Sequence, residues 1–225
     1  MMALTFSLKK TPSQPLDCSQ LTANGLAGLS LVQMKNLPLA KSNLKVADFF
    51  EISGDDAQCI IFTNSTSQLH YIGHKMTGGI ITIDGDAGDY LGAKMQNGTI
   101  LCHGNAGNRV GDQMRRGLIL VDGNVGNYCA SRMIAGTIGV FGQVGAYLGF
   151  AMKRGTILLT QTPKLHATIQ SCGKHTLPFL ALLFKSFCAL QTKFSEIQSQ
   201  RVERFAGDLA CGGKGEILVM SPTEK

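Results

Sequence analysis

The chain contains no tryptophan and only four tyrosines, which argues against a nucleic-acid surface built from stacking aromatics set in a basic stripe. Its seven cysteines (Cys18, Cys59, Cys102, Cys129, Cys172, Cys188 and Cys211) are odd in number and include no C-x-x-C pair. Neither a zinc ribbon nor a secreted disulfide framework is indicated, and a reducing cytoplasm is the expected location. The most apolar run, Leu177 to Phe184, is too short to cross a bilayer and is followed by Lys185, so no transmembrane segment is expected. At the start, Lys9 and Lys10 follow a very short apolar stretch, which is the wrong order and length for a signal peptide.

Reactive constellations are missing too. His70, His74, His103, His166 and His175 form no zincin or paired-ligand pattern, no serine sits in a nucleophile elbow, and no carboxylate pair is singled out by spacing. Catalytic, cofactor-binding and metal-ligating residues are therefore expected to be none in this chain.

What is present is a clock. Methionine falls at positions 76, 95, 114, 133 and 152, each 19 residues after the last. The surrounding sequence repeats: Met76-Thr-Gly-Gly79-Ile-Ile81, Met95-Gln-Asn-Gly98-Thr-Ile100, Met114-Arg-Arg-Gly117-Leu-Ile119, Met133-Ile-Ala-Gly136-Thr-Ile138 and Met152-Lys-Arg-Gly155-Thr-Ile157. Self-similarity at a short fixed period marks a solenoid, in which equivalent positions stack as columns. One column holds Ile81, Ile100, Ile119, Ile138 and Ile157, and two residues on comes Ile83, Cys102, Val121, Val140 and Leu159. Spacing of two with β-branched enrichment reads as short strands with alternate positions inward. A second inward set is Ala87, Ala106, Val125 and Val144.

Glycine recurs in fixed columns rather than in a three-residue collagen period, as at Gly85, Gly104, Gly123 and Gly142, and so serves bends. Several glycines in every repeat would cost a helix roughly 1 kcal/mol each, so strands are preferred to helical repeats. The polar columns Asp86, Asn105, Asn124 and Asp89, Asn108, Asn127 can hydrogen-bond along the stack.

Residues 57–163 thus read as a parallel β-helix, with 57–75 a worn first coil that keeps Phe62 in the isoleucine column. Residues 1–56 form an N-terminal cap: a strand through Leu4, Phe6 and Leu8, a short helix over Ser30–Leu37 and a strand over Val46–Ile52. Residues 164–225 form a C-terminal cap with an amphipathic helix over 178–198 and a terminal strand. That helix is expected to cover the last coil, since an open stack exposes strand edges.

The net charge of +6 favours an acidic partner. Lys75, Lys94 and Arg132 each precede a column methionine, while Arg115, Arg116, Lys153 and Arg154 follow one, so stacking is expected to align them along one edge for docking a partner or a polyanion. Cys102 and Cys129 occupy inward columns and read as small hydrophobes.

The repeats, the lead-in Val46-Ala-Asp-Phe-Phe-Glu-Ile-Ser-Gly54 and the tail Phe205-Ala-Gly-Asp-Leu-Ala-Cys-Gly-Gly-Lys-Gly-Glu-Ile-Leu-Val219 resemble the C subunit of formylmethanofuran dehydrogenase over nearly the whole chain. The resemblance implies a right-handed parallel β-helix like the C-terminal domain of glutamate synthase. It also implies a cytoplasmic, non-catalytic subunit held by an amidohydrolase-like A subunit, a B subunit and a formyltransferase D subunit. Two forms of complex fit. One is the formyltransferase/hydrolase complex of methylotrophs, which releases formate from formyl-tetrahydromethanopterin by way of a methanofuran-type carrier, with zinc in the amidohydrolase subunit. The other is the molybdenum or tungsten formylmethanofuran dehydrogenase. The Leu26-Ala-Gly-Leu-Ser30 segment and the Met114-Arg-Arg-Gly117 step are closer to the former. A free-standing β-helix acyltransferase or lyase, or a glutamate synthase-type domain, is the remaining reading.

Overall fold

The computed structural model describes residues 2–39, 44–197 and 200–220. In chain order the front of the molecule comprises β1 (Ala3–Leu8), β2 (Leu16–Asp17), α1 (Ala23–Leu26), α2 (Leu31–Lys35), α3 (Val46–Phe49), β3 (Phe50–Ser53), β4 (Asp56–Ser65) and β5 (Leu69–His70). The repeats supply β6 (Ile80–Gly85), β7 (Thr99–Cys102), β8 (Leu118–Val121), β9 (Thr137–Val140) and β10 (Thr156–Leu159). The tail supplies β11 (Gln170–Thr176), α4 (Phe179–Phe187), β12 (Arg201–Ala206) and β13 (Glu216–Met220). The molecule is mainly β, with one large, mostly parallel sheet in the order β11-β12-β13-β10-β9-β8-β7-β6-β4-β1-β3.

Period becomes register. Ile81, Ile100, Ile119, Ile138 and Ile157 pair in line across β6 to β10, and Ile217 of β13 extends the same column from the tail. A second face carries parallel bridges Ala87↔Ala106, Ala106↔Val125 and Val125↔Val144. The five column methionines are fully buried. Each lies under a glycine of the next repeat: a Cβ at Gly98, Gly117, Gly136 or Gly155 would sit 2.7–2.9 Å from the methyl of Met76, Met95, Met114 or Met133, respectively. Met152 is covered by Gly207 and Gly215, so the tail takes the place of one more repeat.

Three readings of the sequence are corrected. Phe62 pairs with Ile83, and it is Ile60 that stands opposite Ile81, so the first interval is 21 residues. The usual spacing returns at Tyr71, whose N–H donates to Asp89 as that of Tyr90 does to Asn108. The two extra residues therefore lie between Phe62 and Leu69, where the pairing of β4 shifts. Val46–Ile52 is half helix, because the Asp48 carboxylate accepts the Lys45 N–H at 2.7 Å and closes the turn α3 before β3 begins. The helix expected over 178–198 ends at Phe187, and a 3₁₀ turn follows over Lys193–Glu196.

That tail helix also lies on a different surface from the one expected. Leu180, Phe184 and Phe187 of α4, with Phe194, pack on the outward-facing Leu101, Leu120 and Leu158 of the sheet, so the helix covers its flank. Phe194 fills the notch at Gly139, where a Cβ would meet its ring at 2.8 Å. The glycine that interrupts the strand is thus the socket for a tail aromatic. Asp122 anchors the same segment by accepting the Lys193 N–H at 2.9 Å at the start of the 3₁₀ turn.

Candidate functional site

The seven expected docking cations are exposed but fall into three neighbouring columns. Lys75, Lys94 and Arg132 share one column with Gln113 and Ala151, all with φ of 53–57°. Arg115 and Lys153 occupy the column after the methionines, separated by Ile134, and Arg116 and Arg154 the next, separated by Ala135. Lys75, Lys94 and Arg115 converge on an open groove completed by Gln96, Gln113 and Ile134. His74, next to Lys75 in the chain, is held below the ordinary histidine range by burial first and then by Lys75 and Lys94.

Arg132 is committed within the chain. Its guanidinium donates to both oxygens of Asp112, Nη2 at 2.7 Å and Nε at 3.1 Å. Asp112 is buried and also accepts from Ser131 Oγ at 2.5 Å and Gln113 Nε2 at 3.0 Å. Burial alone would push this carboxyl up, but the hydrogen bonds from Arg132, Ser131 and Gln113 outweigh it and hold it below its usual range. At the tail, Asp208 is also held down, since burial is outweighed by bonds that include the N–H groups of Ala151 and Ala210.

A second feature of this corner was missed in the sequence. All four tyrosines, Tyr71, Tyr90, Tyr128 and Tyr147, fall in one column with Arg109 in the middle place. Tyr71 stacks on Tyr90 with centroids 4.7 Å apart, and Tyr128 on Tyr147 at 4.8 Å. The Arg109 guanidinium lies 4.7 Å from the Tyr128 ring and 5.9 Å from that of Tyr90, bridging the two stacks. The signal was the 19-residue spacing, hidden by the arginine in its centre.

The polar columns work along the stack as expected, with the main chain as chief donor. Asp86, Asn105 and Asn124 each accept the N–H of the next repeat at 2.7–2.9 Å, and so do Asp89, Asn108 and Asn127 at 2.7–2.8 Å. Among the described residues no three His, Cys, Asp or Glu side chains are grouped to hold a metal ion. No helix of the described residues is long and apolar enough to cross a membrane.

The thiols divide by burial. Burial pushes Cys102 and Cys129 up to about 12 and raises Cys18 further still, whereas Cys172, Cys188 and Cys211 are exposed and Cys59 is half-buried. A disulfide reagent at pH 8 is expected to label the exposed three within minutes and the buried three only on unfolding, checked by peptide mass mapping.

No family model matches the chain. The C subunit of tungsten-containing formylmethanofuran dehydrogenase 2 from Methanothermobacter wolfeii is 32% identical over 93 residues, covering 38% of this chain and 34% of that protein. The subunit of the same description from Methanocaldococcus jannaschii is 43% identical over 51 residues, 21% of this chain and 19% of that protein. The match to the first of these therefore spans about a third of the relative's length. A chain in the crystal structure of the formyltransferase/hydrolase complex from Methylorubrum extorquens, solved with methylofuran, superposes with a TM-score of 0.68 at 29% identity, covering 97% of this chain and 100% of that one. Over part of its length the chain is similar to the C subunit of formylmethanofuran dehydrogenase, and in its fold it is similar to a chain of the formyltransferase/hydrolase complex.

Proposed function

We propose that this chain is a non-catalytic scaffold subunit of a formyltransferase/hydrolase complex, which converts formyl-tetrahydromethanopterin to formate by way of a methanofuran-type carrier. The observation that carries the reading is the end-to-end likeness to a chain of such a complex. On this reading the partners are an amidohydrolase-like A subunit holding zinc, a B subunit and a formyltransferase D subunit, in the cytoplasm. Residues 57–163 are a right-handed parallel β-helix flanked by caps over 1–56 and 164–225. The in-register parallel pairing supports it, and parallel crossovers are right-handed almost without exception. Lys75, Lys94, Arg115, Arg116, Lys153 and Arg154 dock an acidic partner surface, while Arg132 serves mainly the stack.

A second reading, a subunit of a tungsten or molybdenum formylmethanofuran dehydrogenase, is favoured by the descriptions of the curated relatives. Purifying the assembly through a tag on this chain, with identification of its subunits and metal analysis, separates the two. Zinc without molybdenum, tungsten or iron-sulfur clusters is expected. Reversing Arg115, Arg116, Lys153 and Arg154 to Glu together is expected to weaken assembly at least tenfold at low salt, and an unchanged affinity would dismiss the docking role.

A further inference from the structure

The stack is sealed unevenly. At the back end, β13 pairs with β10 on the sheet face, and at the methionine corner Asp208 Oδ2 accepts the Ala151 N–H at 2.7 Å, replacing the carbonyl that a further repeat would offer. On the bridged face nothing in the described residues does the same. In earlier repeats Ala87, Ala106 and Val125 donate their N–H groups to Asn105, Asn124 and Gln143 of the next repeat, and Tyr90, Arg109 and Tyr128 donate to Asn108, Asn127 and Ala146. The returning bonds run from Gly107, Gly126 and Gly145 to the carbonyls of Ala87, Ala106 and Val125. Among the described residues, the corresponding Val144 N–H, Tyr147 N–H and Val144 C=O have no hydrogen-bond partner.

The front end of this same face shows what a seal looks like. There β2 pairs in parallel with β5, and Leu16 and Cys18 donate to the carbonyls of Gln68 and His70 at 2.8 and 2.9 Å. The sealing element is two extended residues, Leu16 and Asp17, and one of them is an acid beside the tyrosine column.

Charge narrows the occupant of the back end. No acidic residue occurs between Asp122 and Glu196, and the last repeat and its exit carry the exposed cations Lys153, Arg154 and Lys164. Shape narrows it further. Tyr147 ends the aromatic column and is 48% exposed beside Phe150, which is 45% exposed, and Arg109 shows that this column accepts a guanidinium as readily as a ring.

We propose that Gln143–Tyr147 is a docking edge to which an acidic segment of a partner protein adds as a short parallel strand. Its carbonyls accept from Val144 and Tyr147, its N–H donates to the Val144 carbonyl, and a planar side chain lies on the Tyr147 ring. The inference rests on the reading of this chain as a member of a larger assembly.

The test uses the full chain and the assembly purified through it. Residue-resolved amide exchange at Val144 and Tyr147 is expected to be fast in the chain alone and slowed at least a hundredfold in the assembly. Val144→Pro, which removes the unused donor and also fixes φ there, is expected to weaken partner binding at least tenfold, while Val144→Ala keeps the donor and stays within threefold. A photo-cross-linking residue at position 147 is expected to capture an acidic peptide. Equal affinities for the two variants, free exchange of both amides in an intact assembly, or capture of a basic peptide would each overturn the docking edge and leave the scaffold reading standing. Should Val144→Pro fail to fold, wild-type amide exchange decides. A chain that purifies without partners overturns both.

Discussion

Gly104→Ala is expected to lower stability by more than about 3 kcal/mol, or to prevent folding, whereas Gly78→Ala should change it by less than about 0.5 kcal/mol. The two substitutions add the same methyl group to the same kind of sequence. At Gly78 the new Cβ meets nothing within 4 Å. At Gly104 it would lie 2.4 Å from the Gly85 carbonyl oxygen, the same oxygen that accepts the Gly104 N–H at 3.0 Å. A flexible side chain could swing away from such a clash, but a main-chain carbonyl can move only by parting the repeats. The conflict recurs at Gly123, where a Cβ would lie 2.5 Å from the Gly104 carbonyl, so relief cannot be passed down the column. Urea unfolding midpoints for the two variants check it, and equal midpoints would mean that the repeats are held less closely than their hydrogen bonds require.

The contrast between these glycines also marks what could be read in advance. Columns that repeat one residue type, the methionines and the isoleucines, declared both the period and the inward face, and the sheet register follows them from β6 to β10. Columns that mix types hid their role. Tyrosine and arginine look unrelated until rings and guanidinium are seen stacked, and both sit with lysine at positive φ, a region these residues seldom adopt. The slip between Phe62 and Leu69 was illegible because a two-residue insertion leaves apolar residues facing inward, as alternation has a period of two. The tail helix was overextended because Phe194 and Ile197 keep a helical spacing, yet Phe194 is drawn to the notch at Gly139 by a contact remote in sequence.

The same distinction between column and exception identifies Asp112 as the second sensitive point. Its column holds His74, Ala93, Ser131 and Phe150 elsewhere, so the repeat itself does not require a carboxylate there. What requires it is the cluster of donors around it. Asp112→Ala removes bonds to Arg132, Ser131 and Gln113 and leaves the Ser131 hydroxyl, on a residue only 1% exposed, without its acceptor. Arg132 is half exposed and recovers water, which keeps the cost at about 2–3 kcal/mol, below that of a fully buried ion pair.

The loss carries a pH signature that a packing defect lacks. Because the folded carboxyl is held below its ordinary value, its contribution is complete above about pH 4 and disappears as pH falls through the folded value. Wild type and Asp112→Ala are therefore expected to differ most at neutral pH and to converge on acidification, as read from urea midpoints between about pH 7 and about pH 2.5. Asp208 remains in both proteins, so each keeps some acid sensitivity of its own. A stability difference that stayed constant across that range would assign Asp112 a steric role in the stack and remove the ion cluster as the reason Arg132 is held inside it.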